Sequence, residues 1–223
     1  MQDAPVGAPS DEERRAAALY HADMSRPISA TISIAALRHN LSRVRSSAPG
    51  SRIWAVVKAN GYGHGLEAAL AGFAQADGLA LVEFDAAEAL RRCGWQGPLL
   101  MLEGAFDAGD VALAGAARLA LMVHESRQLD WLASAAPRSP IHVYLKYNSG
   151  MNRLGFDAVG LAAAHARLRE MPAVASITLA THFANADVPS GAEEALARFD
   201  AASAGLAGEH SLANSAAVLG LPA

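Results

Sequence analysis

The chain has 223 residues, of which 52% are hydrophobic and 18% are charged, a composition typical of a globular protein with a sizeable core. A formal net charge of -4 gives no basic field for a nucleic-acid backbone or an anionic membrane surface, so neither class of partner is expected. The single cysteine, Cys93, cannot form an internal disulfide, and no apolar run approaches the roughly 20 residues that span a bilayer, so we expect a cytoplasmic protein.

The first elements follow a segment of different composition. Residues 1–26 mix Pro, Gly and both signs of charge without the apolar core of a secretory signal, and we expect them to form a flexible tail. Residues 27–223 are expected to form one domain. Within it, residues 30–34 alternate small or polar with apolar side chains, which predicts a half-buried strand, and residues 37–44 space their apolar side chains as a helix does.

Seven later apolar segments have the length of buried strands. They are residues 53–57, 79–82, 99–102, 119–123, 141–145, 177–180 and 211–213. Segments with helical spacing lie between most of them, at residues 66–75, 85–92, 126–135, 159–170 and 192–204. This alternation of strand and helix predicts a parallel sheet.

Periodicity alone leaves open a closed (β/α)8 barrel or an open doubly wound sheet. Four polar residues that each follow a different predicted strand favour the barrel, since barrel enzymes collect their chemistry at the carboxyl ends of the strands. These residues are Lys58, Lys146, His182 and Asn214. We therefore predict an α/β fold of the TIM-barrel type that is incomplete, with about seven of its eight strands present before the chain stops at Ala223.

The sharpest local feature is V-V-K-A-N-G-Y-G-H-G at residues 56–65. An isolated lysine after a strand usually extends its amine to water. At the mouth of an apolar barrel, however, desolvation favours the neutral amine, which is the form that makes Schiff bases. The three glycines of the segment allow backbone conformations closed to other residues and can bring Tyr62 and His64 close to a ligand of Lys58.

This segment resembles the cofactor-lysine signature of alanine racemases, with Gly61 where the family usually has alanine. The resemblance implies that Lys58 binds pyridoxal 5'-phosphate as a Schiff base. It further implies that Lys58 is the base that moves the substrate Cα proton on one face, and that Tyr62 hydrogen-bonds the cofactor phosphate.

A second segment, K-Y-N-S-G-M-N-R-L-G-F at residues 146–156, is similar to the family's K-x-D-T-G-M-x-R-L-G. Arg153 matches an arginine that contacts the cofactor phenolic oxygen and the substrate carboxylate, a task suited to a planar guanidinium. Lys146 matches a lysine that many members carry as a carbamate, whose negative charge holds the arginine. The pair Asn148-Ser149 departs from the usual Asp-Thr.

Two more segments resemble the family in the same chain order. A-T-H-F-A-N-A-D at residues 180–187 is similar to T-H-F-A-x-A-D, which implies that His182 packs close to the pyridine ring. S-L-A-N-S-A-A at residues 211–217 matches A-N-S-A, which implies that Asn214 and Ser215 help to hold the phosphate. A serine and free backbone N–H groups at the start of a helix also favour an anion on physical grounds.

Metal and nucleotide sites are not expected. Five further histidines have no cysteine or carboxylate partner at metal-ligand spacing, namely His21, His124, His142, His165 and His210. The sequence also has no G-x-G-x-x-G or Walker motif.

The resemblance implies a homodimeric enzyme that interconverts L-alanine and D-alanine and supplies D-alanine for peptidoglycan or for alanine catabolism. Family members continue with a last barrel strand and a β domain, whose tyrosine is the acid/base on the opposite face of the cofactor. We therefore interpret the chain as the N-terminal barrel portion of an alanine racemase, without that tyrosine. Because racemisation needs a group on each face, we expect little activity from these residues alone.

Alternatives from other classes remain open. A single-domain barrel could bind and buffer pyridoxal phosphate without racemising, although it would need eight strands. A barrel of the basic-amino-acid decarboxylase type shares the lysine on the first strand, but the G-M-N-R-L-G and A-N-S-A segments favour the racemase. A non-enzymatic scaffold would leave all four matching segments unexplained.

Overall fold

The computed structural model describes residues 28–188 and 190–221, so the predicted tail at residues 1–26 lies outside the described residues. The strands are β1 (Trp54–Val56), β2 (Gly78–Leu81), β3 (Leu99–Met101), β4 (Leu119–Val123), β5 (Ile141–Lys146), β6 (Val174–Ala180) and β7 (Glu209–Ser211). The helices are α1 (Ile34–Ser47), α2 (Leu66–Gly72), α3 (Phe84–Arg92), α4 (Ala108–Ala117), α5 (Ser126–Ser134), α6 (Ala158–Arg169), α7 (Glu193–Ser203) and α8 (Ser215–Gly220). A further short helical turn occupies Lys58–Tyr62.

The seven strands form one sheet in which every neighbouring pair is parallel and the spatial order is the chain order, β1 to β7. A helix follows each strand, which gives the curled sheet of an incomplete (β/α)8 barrel. The predicted fold class is therefore confirmed. Each of the seven predicted strands is found within a few residues of its predicted bounds.

Apolar side chains fill both faces of the sheet, as expected for buried parallel strands. The inward face carries a cluster of Ala80, Leu100, Ala120, Met122, Tyr144 and Ala180, with Trp54, Val56 and Leu102 packed against it. The larger cluster lies between the strands and the surrounding helices and includes Leu79, Leu81, Leu99, Met101, Leu121, Leu145 and Leu179. Successive residues of a strand therefore pack on opposite faces of the sheet.

Two aromatic side chains pack together in the inward-facing cluster. The Trp54 indole N–H donates to the Tyr144 hydroxyl at 3.1 Å, and the two rings meet edge to face with their centroids 5.7 Å apart. Gly78, paired with Trp54 in the sheet, leaves room for this ring, since a Cβ there would overlap the indole. Lys146 is the last residue of β5 and lies two residues beyond Tyr144, towards the carboxyl mouth of the barrel.

The predicted strand at residues 30–34 is wrong. Residues 28–33 have no regular secondary structure, and α1 begins at Ile34. The Ser33 hydroxyl accepts the Ala36 backbone N–H at 3.2 Å and so caps the helix, which begins three residues before its predicted start at residue 37. A strand also needs a hydrogen-bonded neighbour, and none of the described strands pairs with this segment.

Strands β1 and β7 are the two ends of the described sheet. Arg52, just before β1, forms an ion pair with Glu209, the first residue of β7. Both side chains are about two-thirds exposed, so this contact contributes little stability. Within the described ranges no helix has the length and apolar character needed to cross a membrane.

Candidate active site

Four of the predicted site residues lie at the carboxyl end of the sheet. Lys58 comes two residues after β1, Lys146 ends β5, His182 comes two residues after β6, and Asn214 comes three residues after β7. Because the strands are parallel, all four positions lie at one mouth of the barrel.

The chain contains only two lysines, Lys58 and Lys146, while its other basic residues are arginines or histidines. Both lysines lie at this mouth, and the positive charge of Lys58 is one of the groups that lower the pKa of Lys146. Lysines that serve only as solvated surface charges would be scattered over the exterior. Their convergence makes this end of the barrel the candidate site.

The backbone after Lys58 turns in the left-handed sense. Ala59, Asn60, Gly61 and Tyr62 have φ of 51°, 53°, 63° and 54°. Each non-glycine residue in a left-handed helical turn costs about 1–2 kcal/mol, so the surrounding structure must stabilise this one. Hydrogen bonds within the turn, Gly61 N–H to Val57 O at 2.9 Å and Gly63 N–H to Ala59 O at 3.0 Å, contribute to that.

Side chains at the end of the turn fix it to helix α2. The Asn60 side-chain oxygen accepts the Leu66 N–H at 3.0 Å, where α2 begins. The His64 ring nitrogen Nδ1 lies 2.7 Å from the Gly61 carbonyl oxygen, so that histidine is bound to the turn itself. The Tyr62 side chain is 58% exposed at the mouth, where a ligand could reach its hydroxyl.

Lys146 leads into a loop that closes on itself. The Asn148 N–H donates to Phe156 O and the Phe156 N–H donates to Lys146 O, both at 2.9 Å. Inside the loop the Asn148 side-chain oxygen accepts the N–H groups of Gly150 and Asn152 at 3.1 and 3.0 Å. Asn148 therefore folds the segment that carries Arg153, even though the family usually has aspartate at this position.

Ser149, the second departure from the family pattern, joins this loop to the next strand. Its buried hydroxyl lies 2.7 Å from the Thr181 hydroxyl, which donates to Tyr147 O at 2.9 Å. The side chains of Asn148 and Ser149 therefore both have hydrogen-bond partners, Asn148 within the loop and Ser149 on Thr181. Arg153 itself is exposed.

Burial lowers the pKa of Lys146 below its ordinary value of 10.5. The positive charges of Arg153 and Lys58 lower it further, and the Glu103 carboxylate opposes them. The side chain is 9% exposed, so its charge is poorly hydrated. A larger fraction of Lys146 is therefore the neutral, nucleophilic amine than for a solvated lysine.

The same charges act on His182. Burial lowers its pKa most, and Lys146, Arg153 and Lys58 add to that effect. The imidazole is therefore neutral at neutral pH and can pack against an aromatic ligand without a charge. Three cations around one half-buried ring also make this mouth attractive to anions.

Asn214 and Ser215 begin helix α8. The Asn214 side-chain oxygen accepts the Ala217 N–H at 3.0 Å, and its amide group donates to Phe183 O at 2.8 Å. Asn214 thus uses both polar atoms to cap α8 and to connect it to the loop after His182. Ser215, the first residue of the helix, is exposed.

Sequence reasoning missed a histidine at the same mouth. His124 follows β4, and its ring nitrogen Nε2 lies 3.1 Å from Glu103 O, in the segment after β3. The buried Gln128 connects the two segments, since its oxygen accepts the His124 N–H at 2.8 Å and its amide donates to Glu103 O at 2.9 Å. The rule that singled out Lys58, a polar residue directly after a strand, would also have found His124.

Burial is the main cause of a lowered pKa at His124, and the charge of Lys146 acts in the same direction. A neighbouring carbonyl and the carboxylates of Glu125 and Glu103 oppose it. His124 therefore lies within the electrostatic influence of Lys146.

A polar cleft of ≈ 200 Å³ adjoins this cluster, with His182, Ser149 and Asn185 among the residues that line it. Arg198 of helix α7 borders the cleft, donates to Ser149 O at 3.3 Å and pairs with Glu194. A larger hollow of ≈ 390 Å³ lies at the opposite end of β4, next to Arg91. The Arg91 guanidinium there donates to backbone carbonyls, including Gly97 O at 2.7 Å, which is a structural role. In the part of the chain that the structure describes, no three His, Cys, Asp or Glu side chains form a group able to hold a metal ion.

Comparison with known proteins places these features in one family. Residues 32–223 match the family described as "Alanine racemase, N-terminal domain". The alanine racemase of Janthinobacterium sp. (strain Marseille) is 52% identical over 204 residues, which are 90% of this chain and 57% of that protein. The alanine racemase of Paracidovorax citrulli (strain AAC00-1) is 48% identical over 196 residues, which are 88% of this chain and 53% of that protein.

Solved structures agree with this match. The biosynthetic alanine racemase from Pseudomonas aeruginosa superposes with a TM-score of 0.81 at 40% identity, covering 86% of this chain and 54% of that one. The alanine racemase from Acinetobacter baumannii superposes with a TM-score of 0.79 at 32% identity, covering 86% and 55%. The chain spans about half the length of the curated relatives it matches.

Proposed function

The chain belongs to the alanine racemase family, and from that premise we propose that it forms the cofactor-binding barrel of an enzyme that interconverts L-alanine and D-alanine with pyridoxal 5'-phosphate. The observation that supports this most strongly is the convergence of the chain's two lysines, Lys58 and Lys146, at the carboxyl mouth of the sheet.

The residues at the mouth fit pyridoxal phosphate by the chemistry of their side chains. Its aldehyde requires an amine, which Lys58 would supply. Its phenolic oxygen is an anion that the Arg153 guanidinium would bind, and its phosphate would be held by the exposed hydroxyls of Tyr62 and Ser215. The neutral ring of His182 would pack against the pyridine. When bound, the cofactor withdraws electrons from the substrate Cα and makes its proton acidic.

Lys58 would then act as the base that takes and returns the Cα proton on one face of the substrate. Arg153 would bind the substrate carboxylate, so that the Cα–H bond is held near the Lys58 amine. The polar loop around Asn148 supports this role because it fixes the segment on which Arg153 lies.

We propose that Lys146 holds Arg153 electrostatically after a change in its own charge. Its neutral amine nitrogen can bond to the carbon of CO2 and release one proton to solvent, which converts the neutral amine into a carbamate anion. The lowered pKa of Lys146 favours this reaction, since only the neutral amine is nucleophilic. The carbamate would pair with Arg153, whereas the ammonium repels it.

Racemisation also needs a proton donor on the other face. We propose that a tyrosine supplied from outside this barrel fills that role, in the additional region that makes the relatives about twice as long as the part they share with this chain. We further propose that the working form is a cytoplasmic homodimer whose D-alanine serves peptidoglycan or alanine catabolism.

The first prediction concerns the lysine that binds the cofactor. Wild-type chain mixed with pyridoxal phosphate should develop the visible absorption band of a lysine-bound cofactor. Reduction with borohydride and peptide mass spectrometry should then locate it on Lys58. Lys58→Ala should abolish the band because no second amine has the same position.

Lys146→Ala is the matched control, because it removes the chain's only other lysine from the same mouth. It should retain the adduct on Lys58. An adduct on Lys146 in the wild type, or a band that survives in Lys58→Ala after modification of the N-terminal amine is accounted for, would contradict the proposal.

A further inference from the structure

Glu83 extends its side chain to the turn that follows Lys58. It lies between β2 and α3, and its carboxylate oxygen Oε1 accepts the Ala59 backbone N–H at 3.0 Å, across 24 residues of chain. Ala59 is the residue directly after Lys58 and the first of the left-handed residues. This is therefore a direct contact between a side chain of the second strand-to-helix connection and the backbone beside the proposed cofactor lysine.

The position of Glu83 makes this contact notable. Glu83 is the N-cap residue of α3, a position at which the shorter side chains of Ser, Thr, Asp and Asn accept an N–H of the helix. The Glu83 side chain makes no such bond to α3 and is directed to Ala59 instead. Only the Glu83 backbone carbonyl serves the helix, by accepting the Ala87 N–H at 3.2 Å.

The Ala59 N–H needs a partner from outside the turn. The first N–H groups of any helical turn have no acceptor within it. Here the turn's own bonds begin with the Gly61 N–H, which donates to Val57 O. The Glu83 carboxylate satisfies the N–H at the point where the strained left-handed backbone begins.

We propose that Glu83 is a positioning residue for Lys58. Its carboxylate holds the first residue of the left-handed turn, and because Lys58 precedes that residue, this bond fixes the direction in which the Lys58 amine points into the mouth. The effect on the cofactor rests on the proposed function, whereas the effect on the Ala59 N–H does not.

Two substitutions separate the hydrogen bond from the charge. Glu83→Gln retains an acceptor oxygen at the same distance along the side chain, whereas Glu83→Ala removes the acceptor. Glu88→Ala is the matched control, because Glu88 is an exposed carboxylate of the same helix that pairs with Arg92 at 3.7 Å, away from Lys58.

The first measurement is hydrogen exchange at the Ala59 N–H by NMR, without cofactor. Loss of a hydrogen bond to a charged acceptor should speed exchange about tenfold or more in Glu83→Ala. Glu83→Gln should remain close to wild type, as should Glu88→Ala. Unchanged exchange in Glu83→Ala would overturn the proposal, and so would exchange in Glu83→Gln as fast as in Glu83→Ala.

The second measurement is the dissociation constant for pyridoxal phosphate, from the absorption band. It should rise about tenfold in Glu83→Ala and stay near wild type in Glu83→Gln and Glu88→Ala. A wild-type chain that forms no adduct on Lys58 would refute the proposed function, and the exchange experiment would still test Glu83. A wild-type adduct on Lys58 with the same dissociation constant in Glu83→Ala would overturn the positioning role alone.

Discussion

Lys146 is a buried cation surrounded by other cations, which is an arrangement that stability alone does not favour. Its side chain is 9% exposed, and Arg153 and Lys58 act on it with like charge while only Glu103 opposes them. Groups with strongly perturbed protonation often belong to functional sites, where the protein tolerates an unfavourable charge for the sake of chemistry. The buried charge of Lys146 therefore leads to a prediction about stability.

Lys146→Met should raise the free energy of unfolding at pH 7 by about 1 kcal/mol, because it keeps the length of the side chain and removes a poorly hydrated charge. The folded-state pKa of Lys146 lies below its ordinary value of 10.5, so the folded protein loses this proton first as the pH rises. The difference in free energy of unfolding between Lys146→Met and the wild type should therefore shrink as the pH approaches 10.5. Urea unfolding in CO2-free buffer at several pH values tests this.

Arg127→Met is a suitable control, since Arg127 is an exposed cation that pairs with Glu125 on the surface. It should change stability little, and its effect should not depend on pH in the same window. A Lys146→Met variant that is less stable than the wild type at pH 7, or equally affected at all pH values, would contradict the assignment of an unfavourable buried charge.

At the scale of elements, the left-handed turn Lys58–Tyr62 sets the geometry of the mouth. Gly61 is buried within it at φ 63°, and a Cβ there would lie 3.0 Å from the Ala69 Cβ of helix α2. Gly63 has φ 82°, but a Cβ there would meet no atom within 4 Å. The two glycines thus share a backbone conformation that disfavours side chains and differ in the space around them.

Gly61→Ala should lower the free energy of unfolding by about 1–2 kcal/mol, from the positive φ together with the contact on Ala69. Gly63→Ala should cost less, since it adds only the backbone strain. The alanine that the family usually has in place of Gly61 indicates that the fold survives this change. Thermal or urea unfolding of both variants measures the difference. An equal decrease in the free energy of unfolding would show that the contact with Ala69 does not contribute to the cost of Gly61→Ala.

Local patterns in the sequence predicted most elements, because apolar runs and helical spacing are properties of neighbouring residues. The seven strands and the helices flanking Lys58 were placed on that basis. Helix α4 was not singled out, since A-G-D-V-A-L-A-G-A-A has few large apolar residues to mark a face. At residues 30–34 the alternation was misleading because the Ser33 cap determined the local structure.

Of the candidate site, only the residues that lie within recognisable motifs could be predicted from the sequence. Lys58, Arg153 and His182 stand out as residue types at particular places along the chain. The contact of Glu83 with Ala59 and the bond between Ser149 and Thr181 join residues 24 and 32 positions apart. Such contacts depend on how the strand ends come together, and no local pattern encodes them.

On the scale of the whole molecule, the barrel brings the proposed site residues to a single mouth. The described mouth contains Lys58 as the proposed base, with Arg153 and Lys146 as the electrostatic partners. The sheet between β1 and β7 has two end strands, and the unpaired N–H and C=O groups of such strands favour association with further polypeptide. Both features lead to a prediction about the activity of these 223 residues.

A polypeptide of these 223 residues should racemise alanine about 10²- to 10⁴-fold more slowly than one extended by the further region of a relative, because a positioned acid/base on the second face typically contributes that much. A suitable extension is the part of the Janthinobacterium alanine racemase that lies beyond its match to this chain. A coupled assay for D-alanine formed from L-alanine compares the two proteins, with Lys58→Ala in each as the blank. Equal turnover would mean that a residue of this chain serves the second face, and Tyr62, His182 and His124 would be the first to substitute.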